Sequence, residues 1–254
     1  MGEYDTPAIE AQDIPAAIGL LTRLPVRVDT EFAVERGAAA AWAYPIAGAV
    51  IALLSVAVAW GALWLGLGSM IAALLAVATG LITTGAMHED GLADCADGFW
   101  GGWDSAMRLK IMKDSQIGTY GLLALLFSQA IRFGAVLEIL QWDRWVLPLI
   151  ALHVASRAVM PVIMSALPHA RDTGLSRSVG KVSQQSAIKS ALIGLGALII
   201  AFGLAGLFYG AIAALSAFCL ARLALAKISG QTGDVCGAAQ QIAEVALLLA
   251  FVAG

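Results

Sequence analysis

The stretch from Thr83 to Gly121, TTGAMHEDGLADCADGFWGGWDSAMRLKIMKDSQIGTYG, gathers much of the charge of an otherwise apolar chain. Within it, Asp90, Asp94 and Asp97 follow the spacing i, i+4, i+7. On an α-helix, this spacing places the three carboxylates within about 60° of arc on one face. Like charges stacked in this way repel each other, so the pattern favours a bound cation.

The three aspartates offer only oxygen ligands, and these favour Mg²⁺ or Mn²⁺ over zinc when no cysteine pair lies nearby. Mg²⁺ in proteins usually joins a few carboxylates to substrate phosphates. Glu89 lies about 100° around the helix from Asp90, so we expect it to be an edge ligand or a partner of the ligands. The sequence therefore predicts a Mg²⁺ site that acts on phosphates. The alternative is a solvated acidic helix end between two membrane spans.

The composition indicates the class of protein. The chain has 254 residues, of which 60% are hydrophobic and 13% charged, and its mean hydropathy is +0.83. Soluble proteins are about 45–50% apolar and about 25% charged, so this chain is predicted to be a polytopic membrane protein. Its net charge is -3, whereas proteins that bind nucleic acid usually carry an excess of basic residues. The three cysteines form no CxxC pair, so neither a disulfide framework nor a zinc site is indicated.

Apolar runs of about twenty residues predict an all-α helical bundle with about seven transmembrane helices. The runs are 38–67, 70–87, 119–140, 145–167, 187–208, 210–227 and 239–253. The turn between the fifth and sixth runs is placed near Tyr209 and Gly210. The apolar segment 14–24 is too short to span the bilayer, which favours an interfacial or re-entrant position. We predict one membrane-embedded catalytic domain over 1–254, with a cytoplasmic or interfacial segment at 1–37.

The basic residues are unevenly distributed between the two sets of loops. With seven spans, one set of loops, counted together with the adjoining ends of the spans, holds twelve of the lysines and arginines, and the other set holds only Arg144. By the positive-inside rule, the charged loops at 88–118, 168–186 and 228–238 should all face the cytoplasm. The lipid bilayer is then a partner of the whole chain, and nucleotide-sized substrates reach the acidic stretch.

Three residues downstream of the aspartates are candidates for substrate binding or catalysis. Arg108 and Lys113 are predicted to contact phosphate oxygens that the metal leaves unneutralised. The alternative for such residues is ordinary charge in a cytoplasmic loop. Asp114 is predicted to cap the following helix or to act in catalysis. For the proton acceptor, Asp97 and Asp114 are both candidates.

Two arginines, Arg132 and Arg157, fall inside predicted spans. An ionised side chain there costs about 2.5–3.5 kcal/mol on insertion scales unless it is paired or hydrated. Both therefore predict a polar cavity, and Arg157 is expected to contact substrate. Gln231 and Asp234, in a glycine-rich segment at the mouth of the last span, are predicted to contribute to the metal or nucleotide site.

Four blocks in this order, TRLPV (22–26), HEDGLADCADGFWGG (88–102), IMKDSQIGTYG (111–121) and SGQTGDVCGA (229–238), resemble the cobalamin-5'-phosphate synthase family, also called adenosylcobinamide-GDP ribazoletransferases. The resemblance covers blocks across most of the chain. It maps the acidic motif of the family onto Glu89, Asp90, Asp94 and Asp97. Cys95 departs from the motif, since a small hydroxyl residue is common there in relatives.

The resemblance implies an integral membrane, Mg²⁺-dependent enzyme of late cobalamin assembly, here in the cell inner membrane. Such an enzyme transfers the adenosylcobinamide phosphate moiety of adenosylcobinamide-GDP to α-ribazole or α-ribazole 5'-phosphate and releases GMP. A homo-oligomer, or contact with other enzymes of late cobalamin assembly, is left open.

Three other classes compete with this interpretation. Intramembrane prenyltransferases and CDP-alcohol phosphotransferases also use stacked aspartates. The CDP-alcohol phosphotransferases require the motif DGxxAR. Here Asp90 and Gly91 match its first two positions, but Asp94 and Cys95 stand at the last two, so the arginine is missing. A divalent-cation transporter would place its carboxylates near the middle of the membrane. This motif begins instead where the second predicted span ends.

Overall fold

The computed structural model describes residues 9–254; residues 1–8, the first part of the predicted segment 1–37, lie outside the described residues. The short helices are α1 (Asp13–Leu21), α2 (Thr30–Arg36), α6 (Ser105–Ile111) and α9 (Leu175–Val179). The long helices are α3 (Tyr44–Trp64), α4 (Ser69–Thr84), α5 (Met87–Gly101), α7 (Thr119–Ile139), α8 (Val146–Ala166), α10 (Gln184–Phe202), α11 (Gly206–Ile228) and α12 (Gly233–Ala253). The predicted all-α fold is confirmed, because the described part of the chain forms no β-strand.

Several of these helices can cross a bilayer. Within residues 9–254, five helical stretches are long and apolar enough, and the bent pair of α4 and α5 makes a sixth if it counts as one span. The predicted number of seven is therefore not confirmed. The long helices also leave large apolar side chains such as Trp60, Phe127 and Phe218 exposed, as a lipid-facing surface requires. The chain is a multi-pass membrane protein.

One of the five stretches, 184–228, contains both α10 and α11. A Cβ atom on Gly206 would lie 2.6 Å from the backbone nitrogen of Ile199, and one on Gly210 would lie 2.8 Å from Leu195 Cδ1, so the two helices run antiparallel. The turn predicted near Tyr209 and Gly210 is wrong: it lies at 203–205. Gly203 has a φ of +59°, which glycine adopts without steric cost.

A sharp bend separates α4 from α5. The two helix axes differ by 85°. Gly85 and Ala86 both adopt the left-handed conformation, with φ angles of 64° and 57°, and this ends α4 within two residues. The bend turns the acidic helix α5 away from the direction of α4 and lays it across the end of the bundle.

The segment before α3 is fixed by a buried ion pair. Arg36 donates from Nε and Nη2 to the two carboxylate oxygens of Asp13, both at 2.7 Å, and Trp42 Nε1 donates to Asp13 Oδ2 at 2.7 Å. Burial acts to raise the pKa of Asp13, but the hydrogen bonds from Arg36 and Trp42 outweigh it and hold this pKa below its usual value. The apolar face of α1 packs on α3 through Ala17 and Leu21. The segment 14–24 therefore lies against the bundle as a short helix.

One end of the bundle, which we call the charged end, collects the loops that the sequence predicted to share a side. The backbone N–H of Arg23 donates to Thr83 O at 2.7 Å, and Gln231 N donates to Pro168 O at 2.8 Å. These bonds join the segment after α1 to the end of α4, and the loop after α8 to the start of α12. Arg144 lies at the opposite end, between α7 and α8.

Close packing holds α5 against α12. A Cβ atom on Gly91 would lie 2.7 Å from Asp234 O, and one on Gly237 would lie 3.1 Å from His88 Cα. Glycine at both positions lets the two helix backbones approach closely. The backbone of Asp234 fills the space beside Gly91. The packing brings the second acidic segment of the chain next to the first.

Candidate active site

A cavity of about 110 Å³ opens at the charged end, between α5, α8, α9 and α12. Its polar lining comes from three different segments, and includes His88, Asp90, Arg171, Ser176 and Asp234. The apolar lining consists of Leu20, Leu21, Tyr44, Met87, Met160, Met164, Leu175, Val179 and Cys236. Asp90 and Asp234, both predicted from the sequence, therefore lie on one cavity.

Asp90 lines the cavity, whereas Asp94, which shares a face of α5 with it, is not among the lining residues. Asp90 is exposed, and Asp94 is half-buried one turn further along the helix. Burial, followed by the negative charges of Asp90, Asp234 and Asp97, raises the pKa of Asp94 to about 7. This acidic helix lies outside the five spans. Burial and the neighbouring negative charges both disfavour the ionised form of Asp94.

Asp234 is oriented by two hydrogen bonds. Arg171 Nη2 donates to Asp234 Oδ2 at 3.1 Å, and Thr232 Oγ1 donates to the same oxygen at 3.0 Å. Thr232 also caps α12 by accepting from the backbone N–H of Val235. The carboxylate of Asp234 is thus fixed at the first turn of α12, beside Asp90.

Asp97 has a different environment from the other two aspartates. Its Oδ2 accepts from the backbone N–H of Gly118 at 2.7 Å, and its Oδ1 accepts from that of Gly121 at 2.9 Å. These N–H groups belong to the start of α7 and have no partner within that helix. Asp97 therefore caps α7 from a neighbouring helix. Its predicted roles as metal ligand and proton acceptor stay predictions.

Glu89 belongs to a buried network of charges behind the cavity. Arg132 Nη1 donates to Glu89 Oε1 at 2.8 Å, and Arg132 Nη2 donates to Glu244 Oε1 at 2.7 Å. Arg157 Nη1 donates to Glu244 Oε2, and Gln241 Nε2 donates to Glu89 Oε1 at 2.8 Å. Two carboxylates thus neutralise two guanidinium groups inside the bundle. This pairing offsets the insertion cost expected for the charges of Arg132 and Arg157.

Arg157 is 1% exposed and does not line the cavity at the charged end. Substrate contact by this residue stays a prediction, and its placement favours a structural role. The same holds for Glu89, whose Oε1 is used by Arg132 and Gln241. The other carboxylate oxygen of Glu89 is buried without a partner among the described residues.

The basic residues after α5 lie apart from the cavity. Arg108 donates to three backbone carbonyls, those of Gly102, Trp103 and Lys227, at 3.0, 3.2 and 2.9 Å. These bonds join the end of α5 to the end of α11. Lys113 is exposed and donates from Nζ to Thr173 Oγ1 at 2.9 Å, so it reaches the loop that carries Arg171.

Asp114 and Gln231 organise loops. Asp114 is exposed, and its Oδ1 accepts from the backbone N–H of Gln116 at 3.2 Å. Gln231 is fully buried, accepts from Ser176 Oγ at 2.7 Å and lies 3.1 Å from His169 Nδ1. It holds the segment 168–176 against the start of α12. Their predicted roles in catalysis and substrate binding stay predictions.

The chemistry of the cavity suits a hard divalent cation. Asp90 and Asp234 on the cavity, and Asp94 one turn along α5 from Asp90, supply oxygen ligands only. However, no group of three or more acidic, histidine or cysteine side chains within residues 9–254 is arranged to hold a metal ion. Mg²⁺ is commonly bound by one or two carboxylates together with water and substrate phosphates. Asp90 and Asp94, one turn apart, fit that smaller set.

Sequence reasoning missed two residues that the structure makes prominent. Arg171 lines the cavity, and its signal was an arginine at the start of a predicted cytoplasmic loop. Glu244 is the counter-ion of both intramembrane arginines. Its signal was an acidic residue inside the last apolar run. The insertion cost that singled out Arg132 and Arg157 applies to this carboxylate as well.

Comparison with known proteins agrees with the motifs. The model of the cobalamin-5-phosphate synthase family matches residues 13–252. A protein of Mesorhizobium japonicum named adenosylcobinamide-GDP ribazoletransferase is 41% identical over 245 residues, which cover 93% of this chain and 91% of the relative. A protein of the same name from Bradyrhizobium diazoefficiens is 42% identical over 238 residues, covering 93% and 92%.

A third relative of that name, from Xanthobacter autotrophicus, is 44% identical over 251 residues, which cover 94% of this chain and 95% of the relative. No solved structure matches the chain. The family expected from the four sequence blocks is thus confirmed by the family model and by relatives over nearly the whole chain. The chain belongs to the cobalamin-5-phosphate synthase family.

Proposed function

We propose that this protein transfers the adenosylcobinamide phosphate moiety of adenosylcobinamide-GDP to α-ribazole or α-ribazole 5'-phosphate, and releases GMP. Membership of the family supports this reaction. The structural observation that carries it is the cavity where Asp90, Asp234 and Arg171 meet. Carboxylates for a cation and a guanidinium for an anion are the groups that a diphosphate substrate requires.

The proposed cofactor is Mg²⁺, held by Asp90 and Asp94. When bound, the ion would neutralise charge on the diphosphate as the leaving phosphate departs. Asp234 lies beside these ligands but is already bonded to Arg171 and Thr232. Asp97, by fixing the start of α7 against α5, keeps the two ligand-bearing turns of α5 in place.

The transfer forms one bond and breaks one. A ribose hydroxyl oxygen of the acceptor attacks the phosphorus that carries adenosylcobinamide, and the bond from this phosphorus to the bridging oxygen breaks. The bridging oxygen keeps the electron pair and leaves as part of GMP. The hydroxyl proton passes to a carboxylate, for which Asp97 and Asp114 remain the candidates.

The proposed location is the inner membrane, with the charged end in the cytoplasm. The uneven distribution of lysine and arginine between the two ends supports this orientation. The donor nucleotide would then reach the cavity directly from the cytoplasm. Association with a second copy, or with other enzymes of late cobalamin assembly, is a further proposal that oligomer analysis in detergent would test.

The deciding experiment measures GMP release by the purified protein in detergent. We expect release from adenosylcobinamide-GDP only when α-ribazole or its 5'-phosphate is present, together with formation of the joined corrinoid product. EDTA should abolish release, and excess Mg²⁺ should restore it. Release of GMP without an acceptor would indicate a hydrolase, and undiminished release in EDTA would contradict the metal assignment.

A further inference from the structure

Arg171 is the only cationic side chain among the residues that line the cavity at the charged end within the described chain. It lies in the segment between α8 and α9, and its Nη2 is bonded to Asp234. Its Nε and Nη1 are buried and have no hydrogen-bond partner among the described residues. A guanidinium group carries five N–H donors, so this one is only partly satisfied.

Buried donors without partners are unfavourable, and more so when the group is charged. Such a site is stabilised when an acceptor arrives. The acceptor must be anionic to suit a guanidinium, and it must reach the cavity that Asp90 also lines. A phosphate oxygen meets both conditions.

The surroundings of Arg171 keep the guanidinium in one orientation. Asp234, itself fixed by Thr232 at the start of α12, holds Nη2. Gly174 has a φ of +105°, and a Cβ atom there would lie 3.2 Å from both Nε and Nη2 of Arg171. A side chain at Gly174 would therefore crowd the guanidinium, and glycine there lets the loop pack against Arg171.

We propose that Arg171, oriented by Asp234, binds a phosphate oxygen of the diphosphate donor opposite Asp90 and Asp94. The inference rests on the proposed function. The planar fork of arginine can bond two oxygens in a fixed geometry while keeping its bond to Asp234, whereas the ammonium of lysine is a compact point charge without that fork. Asp234 acts as a positioning residue in this arrangement.

The test compares purified Arg171→Ala, Arg171→Lys and wild-type protein with saturating Mg²⁺. We expect kcat/KM for adenosylcobinamide-GDP to fall by about a hundredfold in Arg171→Ala, as when one electrostatic contact to a reacting oxyanion is lost. The KM for the acceptor should change less than about twofold, and Arg171→Lys should recover only part of the activity. Guanidinium ion at low, non-denaturing concentration should restore activity to Arg171→Ala, because it replaces the missing group.

The matched control is Arg177→Ala, an exposed arginine on the neighbouring helix α9 that does not line the cavity. It should keep wild-type kinetics and show no response to guanidinium. Thermal unfolding of each variant checks folding independently of activity. Asp234→Asn offers a second route: it keeps the Arg171 side chain but removes the carboxylate that orients it, so it should raise KM for the donor.

The phosphate that Arg171 binds could belong to the donor or to the phosphorylated acceptor, and comparing the two acceptors distinguishes these cases. If Arg171→Ala loses the same fraction of activity with α-ribazole as with α-ribazole 5'-phosphate, the result supports binding of Arg171 to the donor. Loss confined to the phosphorylated acceptor would overturn the assignment to the donor, as would unchanged donor kinetics in folded Arg171→Ala. Either result leaves the proposed function intact if wild-type protein releases GMP, whereas failure of the wild type itself would reject the function.

Discussion

Asp97 on α5 accepts a hydrogen bond of 2.7 Å from the backbone N–H of Gly118 at the start of α7. Asp97, which the sequence singled out as one of three stacked aspartates, thus caps a neighbouring helix. The bond to Gly121 completes the cap, and no side chain could stand at Gly121 without meeting Asp97. The distance between α5 and α7 is therefore set by one carboxylate and two glycines.

Gly121→Ala should lower the thermal stability of the protein, because the added methyl group would press on the Asp97 carboxylate and on Ala93 O, 3.0 Å away. The control is Gly134→Ala in the same helix, where nothing lies within 4 Å of the added atom. Replacing glycine by alanine in a helix interior normally stabilises it by about 0.5–1 kcal/mol. Thermal unfolding in detergent should move in opposite directions for the two variants. Equal shifts would contradict the cap.

Glu244→Gln should destabilise the protein strongly, by about 3–5 kcal/mol, since it leaves two buried guanidinium groups with one carboxylate. Glu138→Gln on the exposed face of α7 is the control and should have little effect. Chemical or thermal unfolding in detergent measures both. Equal stability of the two variants would show that Glu244 is not the counter-ion.

A double variant tests the charge balance of the same network. Glu244→Leu combined with Arg157→Leu removes one charge of each sign and leaves Arg132 with Glu89 at 2.8 Å. This double variant should be more stable than Glu244→Leu alone. Additive losses in the two single variants would argue that the pair is not coupled.

Asp90→Asn and Asp94→Asn should reduce GMP release by about a hundredfold or more, because each removes a proposed Mg²⁺ ligand and its electrostatic effect on the leaving phosphate. Stability without metal should stay equal or rise, since one source of repulsion is gone. Asp143→Asn at the opposite end is the control. Near-normal GMP release at low Mg²⁺ in either site variant would reject the metal assignment.

Asp13→Asn should lower stability at neutral pH, since it removes the charge that pairs with Arg36. The folded pKa of Asp13 lies below its usual value of about 3.9. Its contribution is therefore complete above that value, and is lost as the pH falls through the folded pKa. The difference in unfolding temperature between wild type and Asp13→Asn should shrink on acidification below about pH 4. A difference that is constant with pH would contradict the pair.

Single cysteines should report the orientation of the charged end. After replacement of the three native cysteines, Ser115→Cys and Ser178→Cys, both at exposed positions, should react with an impermeant thiol reagent only in permeabilised cells. Arg144→Cys at the other end should react in intact cells. Labelling of either serine position from outside would reverse the proposed topology.

The sequence predicted the helices well, because an apolar run of fixed length has few alternatives in a membrane. The segment predicted at 119–140 forms α7 (Thr119–Ile139), and that at 145–167 forms α8 (Val146–Ala166). The start of the last helix was placed too late, at 239 instead of Gly233. Its first turn is polar, and hydropathy alone could not show that Thr232 caps it.

The candidate site was predicted in part. The meeting of Asp90 with Asp234 was expected from two polar segments at the same end of the bundle, and the cavity joins them. The partners of Asp97 and Arg108 could not be inferred, since both bind backbone groups whose positions depend on how helices pack. Spacing along one helix shows which side chains share a face, but not what lies opposite that face.

The 85° bend at Gly85 and Ala86 also bears on how deep the carboxylates of α5 lie in the membrane. Asp90 and Asp97 are seven residues apart, or roughly 10 Å along the axis of α5. In an upright helix they would differ in depth by about a third of the 30 Å hydrocarbon layer. Were α4 to lie along the membrane normal, α5 would lie nearly flat, and its carboxylates would share one level of the interface. Donor and acceptor would then meet them at the membrane surface, without either substrate descending into the lipid.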